Sequence, residues 1–400
     1  MRLYLLALNP TDSVTDGFLP AAARLGLDVT LLTDQPDAHR GRYAADVEIL
    51  ECDVRDFRAV ISLISTHHAS PDVVFTNSDH LQLQAALVAE YFGLPGKPWQ
   101  AALRVKDKAQ MRRHLAAAGL DAVWSAELPV GADPEVLTAV AADAPYPCVV
   151  KPREGVASED VILVDGPEDL VLRCKEIQGR RPGAALVVEE YLAGELYTME
   201  TLGDGTVRHV LGGFHTQLSA PPYFIEERSA FVPAHPEPVV AQILAQLDAL
   251  GIGFGICHTE FVVHEDRARI IEVNYRAIGD QSDQLLEQLL GIPLFELVLR
   301  THLGEPLPAE LDARRDGAAR IHTPCADRAG TLTAAPGATD LEVDGVRLSY
   351  RPVRAVGERH ELYHTNRDFL GVVRAIGADL ASVDRVVADF LAAQTWEIAP

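Results

Sequence analysis

The first hundred residues alternate short apolar runs with longer amphipathic ones. The apolar runs are LYLLAL, DVTLLTD, VEIL and DVVFT, and the helical segments are FLPAAARLG, FRAVISLISTHH and HLQLQAALVAEYFG. Strands that alternate with helices of this length predict a parallel, doubly wound α/β sheet. Such a sheet binds ligands at the carboxyl ends of its strands, which here carry Asn9, Asp34 and residues 77–79. These polar residues either contact a ligand or cap the following helices.

The middle of the chain has a different pattern. A basic amphipathic helix, VKDKAQMRRHLAAAGL, is followed by the β-branched runs PCVVK, DVILV and ALVVEEYL, which predict a small antiparallel layer with a helix near residues 167–179. A second α+β segment runs to about residue 303. The stretch GEPLPAELDARRDG, rich in proline, glycine and charge, is the predicted linker to a C-terminal piece that begins at Ala318.

Charge and cysteine content limit the partners and the compartment. The chain has 400 residues, with 35 Lys and Arg against 58 Asp and Glu, and a formal net charge of -23. This charge repels polyanions, so nucleic acid and anionic membrane are poor candidate partners. The five cysteines are scattered without a C-x-x-C pair, which is typical of reduced thiols in a cytoplasmic protein. The N-terminal MRLYLLALNP is too short to span a membrane and is interpreted as a buried strand, not a signal peptide.

The stretch HTEFVVHEDRARIIEVNYR places acids in two otherwise apolar segments. If the segments form a hairpin centred on Asp266, Glu260 lies opposite Glu272, and both share one face with Val262, Ile270 and Asn274. Opposed carboxylates repel unless a cation lies between them. Two acids and an amide oxygen form a set suited to magnesium. The alternative is an exposed strand face with solvated acids.

Two further motifs are ambiguous alone. In VVKPREGVASEDVILV, a strand-end lysine precedes a loop that can surround phosphate oxygens or can be only a turn. In VVEEYLAGELYTMETL, the segment after the strand is either a hinge that reads an adenine edge, with Glu195 near the ribose, or a solvated strand end. The GIGFG stretch precedes a strand and does not match G-x-G-x-x-G, so it is no dinucleotide site.

The order of these motifs resembles the ATP-grasp superfamily, in particular its carboxylate–amine ligases such as the amino-acid ligases. The resemblance covers nearly the whole chain. It implies an N-terminal Rossmann-like domain at residues 1–103, a small ATP-grasp lobe at 104–187, a large lobe with the metal site at 188–303, and a C-terminal α+β portion packed on the large lobe at 318–400.

The resemblance also implies roles for individual residues. Lys108 and Lys151 hold the ATP phosphates, and Lys151 and Arg276 are catalytic, with Arg276 stabilising an acyl-phosphate intermediate. The nucleotide-binding residues are Lys108, Lys151, Gly155, Ser158, Glu189, Glu190, Tyr191, Leu192 and Glu195. The metal ligands are Glu260, Glu272 and Asn274, which bind Mg²⁺, or Mn²⁺ in its place.

Two departures from the family pattern carry expectations of their own. The loop after Lys151 has fewer glycines and serines than in many members, so only Gly155 and Ser158 match. Tyr275 stands where the family commonly has proline, and is expected to reshape the substrate pocket while leaving the metal ligands intact.

The implied activity is ATP-dependent ligation. A small carboxylic or amino acid is activated as an acyl phosphate and joined to an amine, with release of ADP and phosphate. Two alternatives stay open: a carboxylase or nucleotide-precursor enzyme that uses bicarbonate or formate, and an ATP-binding module without turnover. Residues 212–235 are expected to lie over the acceptor pocket, and a homodimer is common among relatives.

Overall fold

The N-terminal part of the chain is a parallel sheet covered by helices. The computed structural model describes residues 1–68, 70–120 and 122–400. The sheet has the order β3-β2-β1-β4, with strands β1 (Arg2–Leu6), β2 (Asp28–Thr33), β3 (Glu48–Glu51) and β4 (Val73–Phe75). The helices are α1 (Leu19–Arg24), α2 (Pro36–His39), α3 (Phe57–His67) and α4 (Gln82–Tyr91), with a π-helical turn at Ser13–Phe18 and a 3₁₀ turn at Asp79–Leu81. Leu3 and Leu5 of β1 pack into one core cluster and Tyr4 into another, so both faces are buried, as in the predicted doubly wound sheet.

Two helices connect this sheet to the next one. These are α5 (Trp99–Lys106) and α6 (Lys108–Ala117), separated at Asp107, whose carboxylate caps α6 by accepting from the Gln110 amide at 3.0 Å. The predicted basic helix is present as α6, but it begins at Lys108, because residues 105 and 106 belong to α5 and Asp107 caps the new helix. The proposed domain boundary after residue 103 falls inside α5.

The small lobe is an antiparallel sheet with two helices. Its order is β5-β8-β6-β7, with strands β5 (Ser125–Leu128), β6 (Cys148–Pro152), β7 (Ile162–Val164) and β8 (Leu186–Glu190) and helices α7 (Pro134–Asp143) and α8 (Pro167–Arg180). The central strands β6 and β8 place Val149 beside Glu189 and Lys151 beside Val187.

The large lobe and the C-terminal piece share one sheet. The large lobe contributes β9 (Glu195–Asp204), β10 (Arg208–Leu218), β11 (Glu226–Val232), β12 (Phe254–His264) and β13 (Arg267–Asn274), with α9 (Glu237–Leu250), α10 (Ser282–Leu290) and α11 (Leu294–His302). The C-terminal piece has β14 (Ala318–His322), β15 (Gly330–Ala334), β16 (Thr339–Val343), β17 (Val346–Pro352), β18 (Arg359–His360), β19 (Gly371–Gly377), α12 (Leu380–Ala392) and β20 (Glu397–Ala399), with a 3₁₀ turn at Asn366–Asp368. The shared sheet has the order β13-β12-β9-β10-β11-β14-β19-β17-β16, and β15 pairs with β18 and β20 in a separate sheet. The predicted linker therefore does not detach the C-terminal strands.

The β12–β13 hairpin has the expected central pair and one irregularity. Glu260 faces Glu272, but a bulge follows, so that Phe261 pairs with Ile270. The prediction that Ile270 shares the face of the two acids is wrong for this reason. Ile270 packs with Phe261 in the core, and Ile271 lines the cleft instead.

The N-terminal sheet and the large lobe are packed against each other. One core cluster contains Phe18 and Phe75 from the first unit and Phe295 from α11. Within the described ranges, no helix is both long enough and apolar enough to cross a bilayer.

Candidate active site

A cleft of about 840 Å³ lies between the small antiparallel sheet and the large sheet. Its lining includes most of the predicted nucleotide and metal residues, namely Lys108, Lys151, Gly155, Ser158, Glu189, Glu190, Tyr191, Leu192, Glu260 and Glu272. Residues that are far apart in the chain thus converge on one concave surface, the arrangement expected of a small-molecule site.

The first charged group of the cleft is centred on Glu189. Its carboxylate receives Lys151 Nζ at 2.8 Å and a bidentate Arg112 guanidinium at 3.1 and 3.0 Å. Burial alone would raise the pKa of Glu189, but Arg112 and Lys151 outweigh it and hold the pKa at about 2. The Glu189 side chain therefore orients Lys151. Arg112 was missed in the sequence, where it is one of several cations on a basic helix.

The second charged group pairs Lys108 with Glu272. The ammonium lies 2.7 Å from Glu272 Oε1 and 3.3 Å from the Gly155 carbonyl oxygen. Burial opposes the charged form of Lys108, but Glu272 outweighs it and raises the pKa of the lysine. The lysine is therefore held as a cation inside the cleft.

The other member of the opposed acid pair has its own cation. Glu260 lies 3.4 Å from His258 Nε2, and His258 Nδ1 lies 2.7 Å from Glu200, a fully buried acid. Burial alone would lower the pKa of His258, but Glu200 raises it to about 10. The Asn274 amide nitrogen donates to Glu260 Oε1 at 3.1 Å. Each carboxylate of the pair therefore has a cation beside it: His258 from the same strand for Glu260, and Lys108 from α6 for Glu272.

The opposed acids fit a hard cation by their chemistry. Glu260, Glu272 and the amide oxygen of Asn274 together offer an all-oxygen donor set, which suits Mg²⁺ with several waters retained. Among the described residues, no larger group of Asp, Glu, His or Cys side chains is arranged to hold an ion. Glu260 and Glu272 are thus the carboxylates that would hold the metal.

The hinge between the lobes, at residues 189–192, already uses two of its backbone amides in hydrogen bonds within the protein. The backbone amides of Glu190 and Tyr191 donate to the carbonyls of Trp124 and Pro147 at 3.0 and 3.2 Å. Hydrogen bonds to an adenine edge would therefore come from other backbone groups of the hinge, such as those of Leu192.

Three predicted residues lie outside the lining of the cleft, namely Asn274, Glu195 and Arg276. Glu195 is exposed, and its carboxylate lies 2.7 Å from His215 Nε2. Arg276 donates through Nη1 to the carbonyls of Ala277 and Ile278 at 2.7 and 2.6 Å. The neighbouring Ala277 amide donates to Asn77 Oδ1 at 3.0 Å. Arg276 thus lies where the N-terminal sheet meets the large lobe, beside the strand-end residues that the sequence pattern marked.

Tyr275 does not shape the cleft. Its ring is 1% exposed within a core cluster, and Lys97 Nζ lies 4.5 Å from the ring centroid. The expectation that this residue reshapes the substrate pocket is therefore wrong, because its ring packs in the core with Phe261 and Ile270 and does not line the cleft.

The segment at residues 212–235 does border the cleft. Leu218, Phe224 and Glu226 from this segment are among the lining residues. Burial, and then the charge of Glu260, raise the pKa of Glu226 to about 7. Neither Phe224 nor Glu226 was singled out as a site residue in the sequence, where no motif marks them.

Comparisons with known proteins agree on the architecture. Residues 144–284 match the family model described as the ATP-grasp domain. The crystal structure of an L-amino acid ligase from Bacillus licheniformis has a TM-score of 0.81 and 21% identity, and the alignment covers 100% of this chain and 99% of that one.

Two curated relatives align over most of their length. A formate-dependent phosphoribosylglycinamide formyltransferase of Synechococcus sp. (strain WH7803) is 29% identical over 72% of this chain and 74% of its own. Protein y4rH of Sinorhizobium fredii (strain NBRC 101917 / NGR234) is 26% identical over 100% of this chain and 84% of its own. This chain therefore contains an ATP-grasp domain and has the ATP-grasp fold, which confirms the resemblance seen in the order of its motifs.

Proposed function

We propose that the protein is an ATP-dependent carboxylate–amine ligase. It activates a small carboxylic or amino acid as an acyl phosphate and joins it to an amine, releasing ADP and phosphate. The observation that carries the proposal is the convergence of the buried cations Lys108 and Lys151 with the opposed acids Glu260 and Glu272 in one cleft. A triphosphate needs cations from the protein, and the two acids offer oxygen ligands to the divalent cation that accompanies it.

The residues divide the work as follows. Lys108 and Lys151, each oriented by an acid, bind the phosphates and stabilise the charge that develops during phosphoryl transfer. Glu260, Glu272 and Asn274 would hold Mg²⁺, which would supply further neutralisation of the phosphate charge. Arg276 contacts the carboxylate or its acyl phosphate, for which a planar guanidinium is suited.

The first experiment measures acid-dependent ADP release, with hydroxylamine present to trap an acyl phosphate as a hydroxamate. We expect Glu272→Gln to lose Mg²⁺-dependent turnover by about 10²-fold or more, because the variant loses one of the paired carboxylates. Glu265→Gln, at the exposed turn of the same hairpin, is the matched control. Near-normal turnover in Glu272→Gln would contradict the metal assignment.

A second experiment separates nucleotide binding from acid activation. We expect Arg276→Met to bind ADP with affinity within about threefold of wild type but to lose acid-dependent ADP release by about 10²-fold. The reason is that Arg276 lies beside the N-terminal sheet and outside the lining of the nucleotide cleft. Loss of ADP affinity comparable to the loss of turnover would contradict this division.

A second candidate function uses formate or bicarbonate as the activated acid. The alignment with the formate-dependent formyltransferase, at 29% identity, favours its inclusion. The same ADP assay, run on a panel of amino acids, formate and bicarbonate, distinguishes the candidates. ATP binding without turnover on every acid would instead support a binding module.

Cytoplasmic location and a homodimer stay predictions. The cysteines of the chain are free thiols, and Cys52, Cys148, Cys174 and Cys257 are buried, which supports a reducing compartment. Light scattering of the purified protein measures the oligomeric state.

A further inference from the structure

The loop that follows Lys151 adopts an unusual backbone conformation. Ala157, Ser158 and Asp160 have φ values of 56°, 54° and 55°, although none is glycine. This conformation is strained for a residue with a side chain and persists only where the surroundings hold it. We call residues 155–160 the phosphate loop, since they line the cleft next to Lys151.

Arginines from two different parts of the chain hold this loop. From the C-terminal end of α8, Arg180 and Arg181 each reach Asp160 at 2.6 Å, and Arg181 also pairs with Glu159. From the C-terminal piece, Arg367 pairs with Glu159, whose side chain is 8% exposed. The Asn366 amide also donates to the Ala157 carbonyl oxygen at 3.4 Å.

The same C-terminal turn also contacts a second segment that lines the cleft. Asn366 Oδ1 accepts from the Glu226 amide at 3.0 Å, and Asn366 Nδ2 donates to Glu226 Oε1 at 2.7 Å. The neighbouring His364 ring stacks on Tyr223, with centroids 4.3 Å apart and planes 2° apart. We call residues 219–226 the flap, because Phe224 and Glu226 line the cleft.

The turn that presents these two side chains is itself rigid. Thr365 and Asp368 form a reciprocal capping box around the 3₁₀ turn Asn366–Asp368. Asp368 is fully buried, and His360 Nε2 lies 2.9 Å from its carboxylate. Asn366 and Arg367 are therefore displayed from a fixed support.

We propose that Asn366 and Arg367 are positioning residues that hold the phosphate loop and the flap together over a bound nucleoside diphosphate or triphosphate. The C-terminal piece then completes a nucleotide pocket whose other walls lie in the two lobes. Both residues fall outside the matched ATP-grasp domain at residues 144–284. That the ligand is a nucleotide rests on the proposed function, whereas the link between the phosphate loop and the flap rests on the contacts above.

The test measures binding directly, with ADP and Mg²⁺ as the probe and isothermal titration as the readout. We expect Arg367→Met and Asn366→Ala each to weaken ADP binding by about five- to tenfold, because the phosphate loop and the flap must then be ordered when the nucleotide binds. The ADP dissociation rate should rise by a similar factor. In turnover assays the KM for ATP should rise more than kcat falls.

Two controls separate positioning from folding. Arg359 is an exposed arginine of the same C-terminal piece, and its guanidinium lies 3.7 Å from Glu361. Arg359→Met should leave ADP affinity unchanged. Thermal unfolding of each variant should match wild type within a few degrees, since Arg367 is half exposed. Arg367→Lys, which keeps the charge, should recover part of the affinity.

The outcomes distinguish this inference from the proposed function. A wild-type protein that does not bind ADP overturns the nucleotide site as a whole. Wild-type binding together with unchanged affinity in Arg367→Met and Asn366→Ala overturns only the positioning role. In the background of Glu159→Gln, Arg367→Met should cost less affinity than in wild type, and an equal cost overturns the assigned pair.

Discussion

Buried lysines occur at two places in this molecule, with opposite electrostatic surroundings. In the nucleotide cleft, Lys108 and Lys151 are 4% and 5% exposed, and each ammonium contacts a carboxylate, of Glu272 and Glu189 respectively. Lys97 lies elsewhere, beside Tyr275, which follows β13, and is 7% exposed. The burial of these lysines is nearly equal, so their partners must decide their charge.

Lys97 contacts groups without a formal charge. Its ammonium donates to Gln82 Oε1 at 2.7 Å and to the carbonyl of Tyr275, and lies over the Tyr275 ring. Burial therefore dominates and lowers the pKa of Lys97 to about 7, whereas Glu272 raises that of Lys108. Burial also lowers the pKa of Lys151, although Glu189 opposes the shift, so Lys108 is the one of these three lysines whose acid partner outweighs burial.

The largest expected effect is a loss of stability when Arg112, which pairs with Glu189, is replaced. Arg112→Met should reduce the free energy of unfolding by about 3–5 kcal/mol, because Glu189 would keep its buried charge with half of its compensation removed. Urea unfolding measures the change. Arg113→Met, on the same helix but 60% exposed, should cost less than about 1 kcal/mol. Equal losses would remove the distinction between buried and exposed pairs.

The next effect concerns the two lysine sites directly. Lys151→Met should lower ATP turnover by about 10²–10³-fold, because a preorganised cation is lost from the phosphate site. Lys97→Met, with similar burial, should stay within about threefold of wild type. Comparable losses of turnover in the two variants would show that contact with an acid does not distinguish the lysine needed for turnover from the one that is not.

The smallest effect, taken over one pH unit, is a dependence of stability on pH. The folded chain releases the Lys97 proton near pH 7, whereas the unfolded chain keeps it up to about 10.5. Between these values the unfolded state binds more protons, so the free energy of unfolding should rise with pH, by on the order of 1 kcal/mol per unit.

Lys97→Met should remove this contribution, as measured by urea unfolding between pH 7 and 10. Lys175→Met, an exposed lysine of α8, should keep the wild-type slope. A slope unchanged in Lys97→Met would show that Lys97 is charged in the folded state across this range.

Local patterns predicted the elements that depend on local periodicity. The alternation in the first hundred residues predicted the parallel sheet, and the near-symmetry around Asp266 predicted that Glu260 faces Glu272. The bulge after that pair was not predictable, because it depends on how Phe261 and Ile270 pack in the core.

Long-range partners were the part that local patterns missed. Arg112 and Glu226 lie in the cleft without any motif to mark them, and β14 pairs with β11 across a predicted linker. Such contacts arise from the packing of distant elements, on which the spacing of residues within one segment has no bearing.

The sequence by itself determined the fold class, and most of the nucleotide and metal residues predicted from it line the cleft, because side-chain periodicity and motif order are carried by the chain directly. Only the tertiary structure decided what those residues contact. It paired Lys108 with Glu272, committed Glu189 to Lys151 and Arg112, placed Arg276 against the N-terminal sheet, and brought the turn at Asn366–Asp368 over the cleft. The charge of a buried group depends on the atoms within a few ångströms of it, and those atoms come from segments that are distant in the chain.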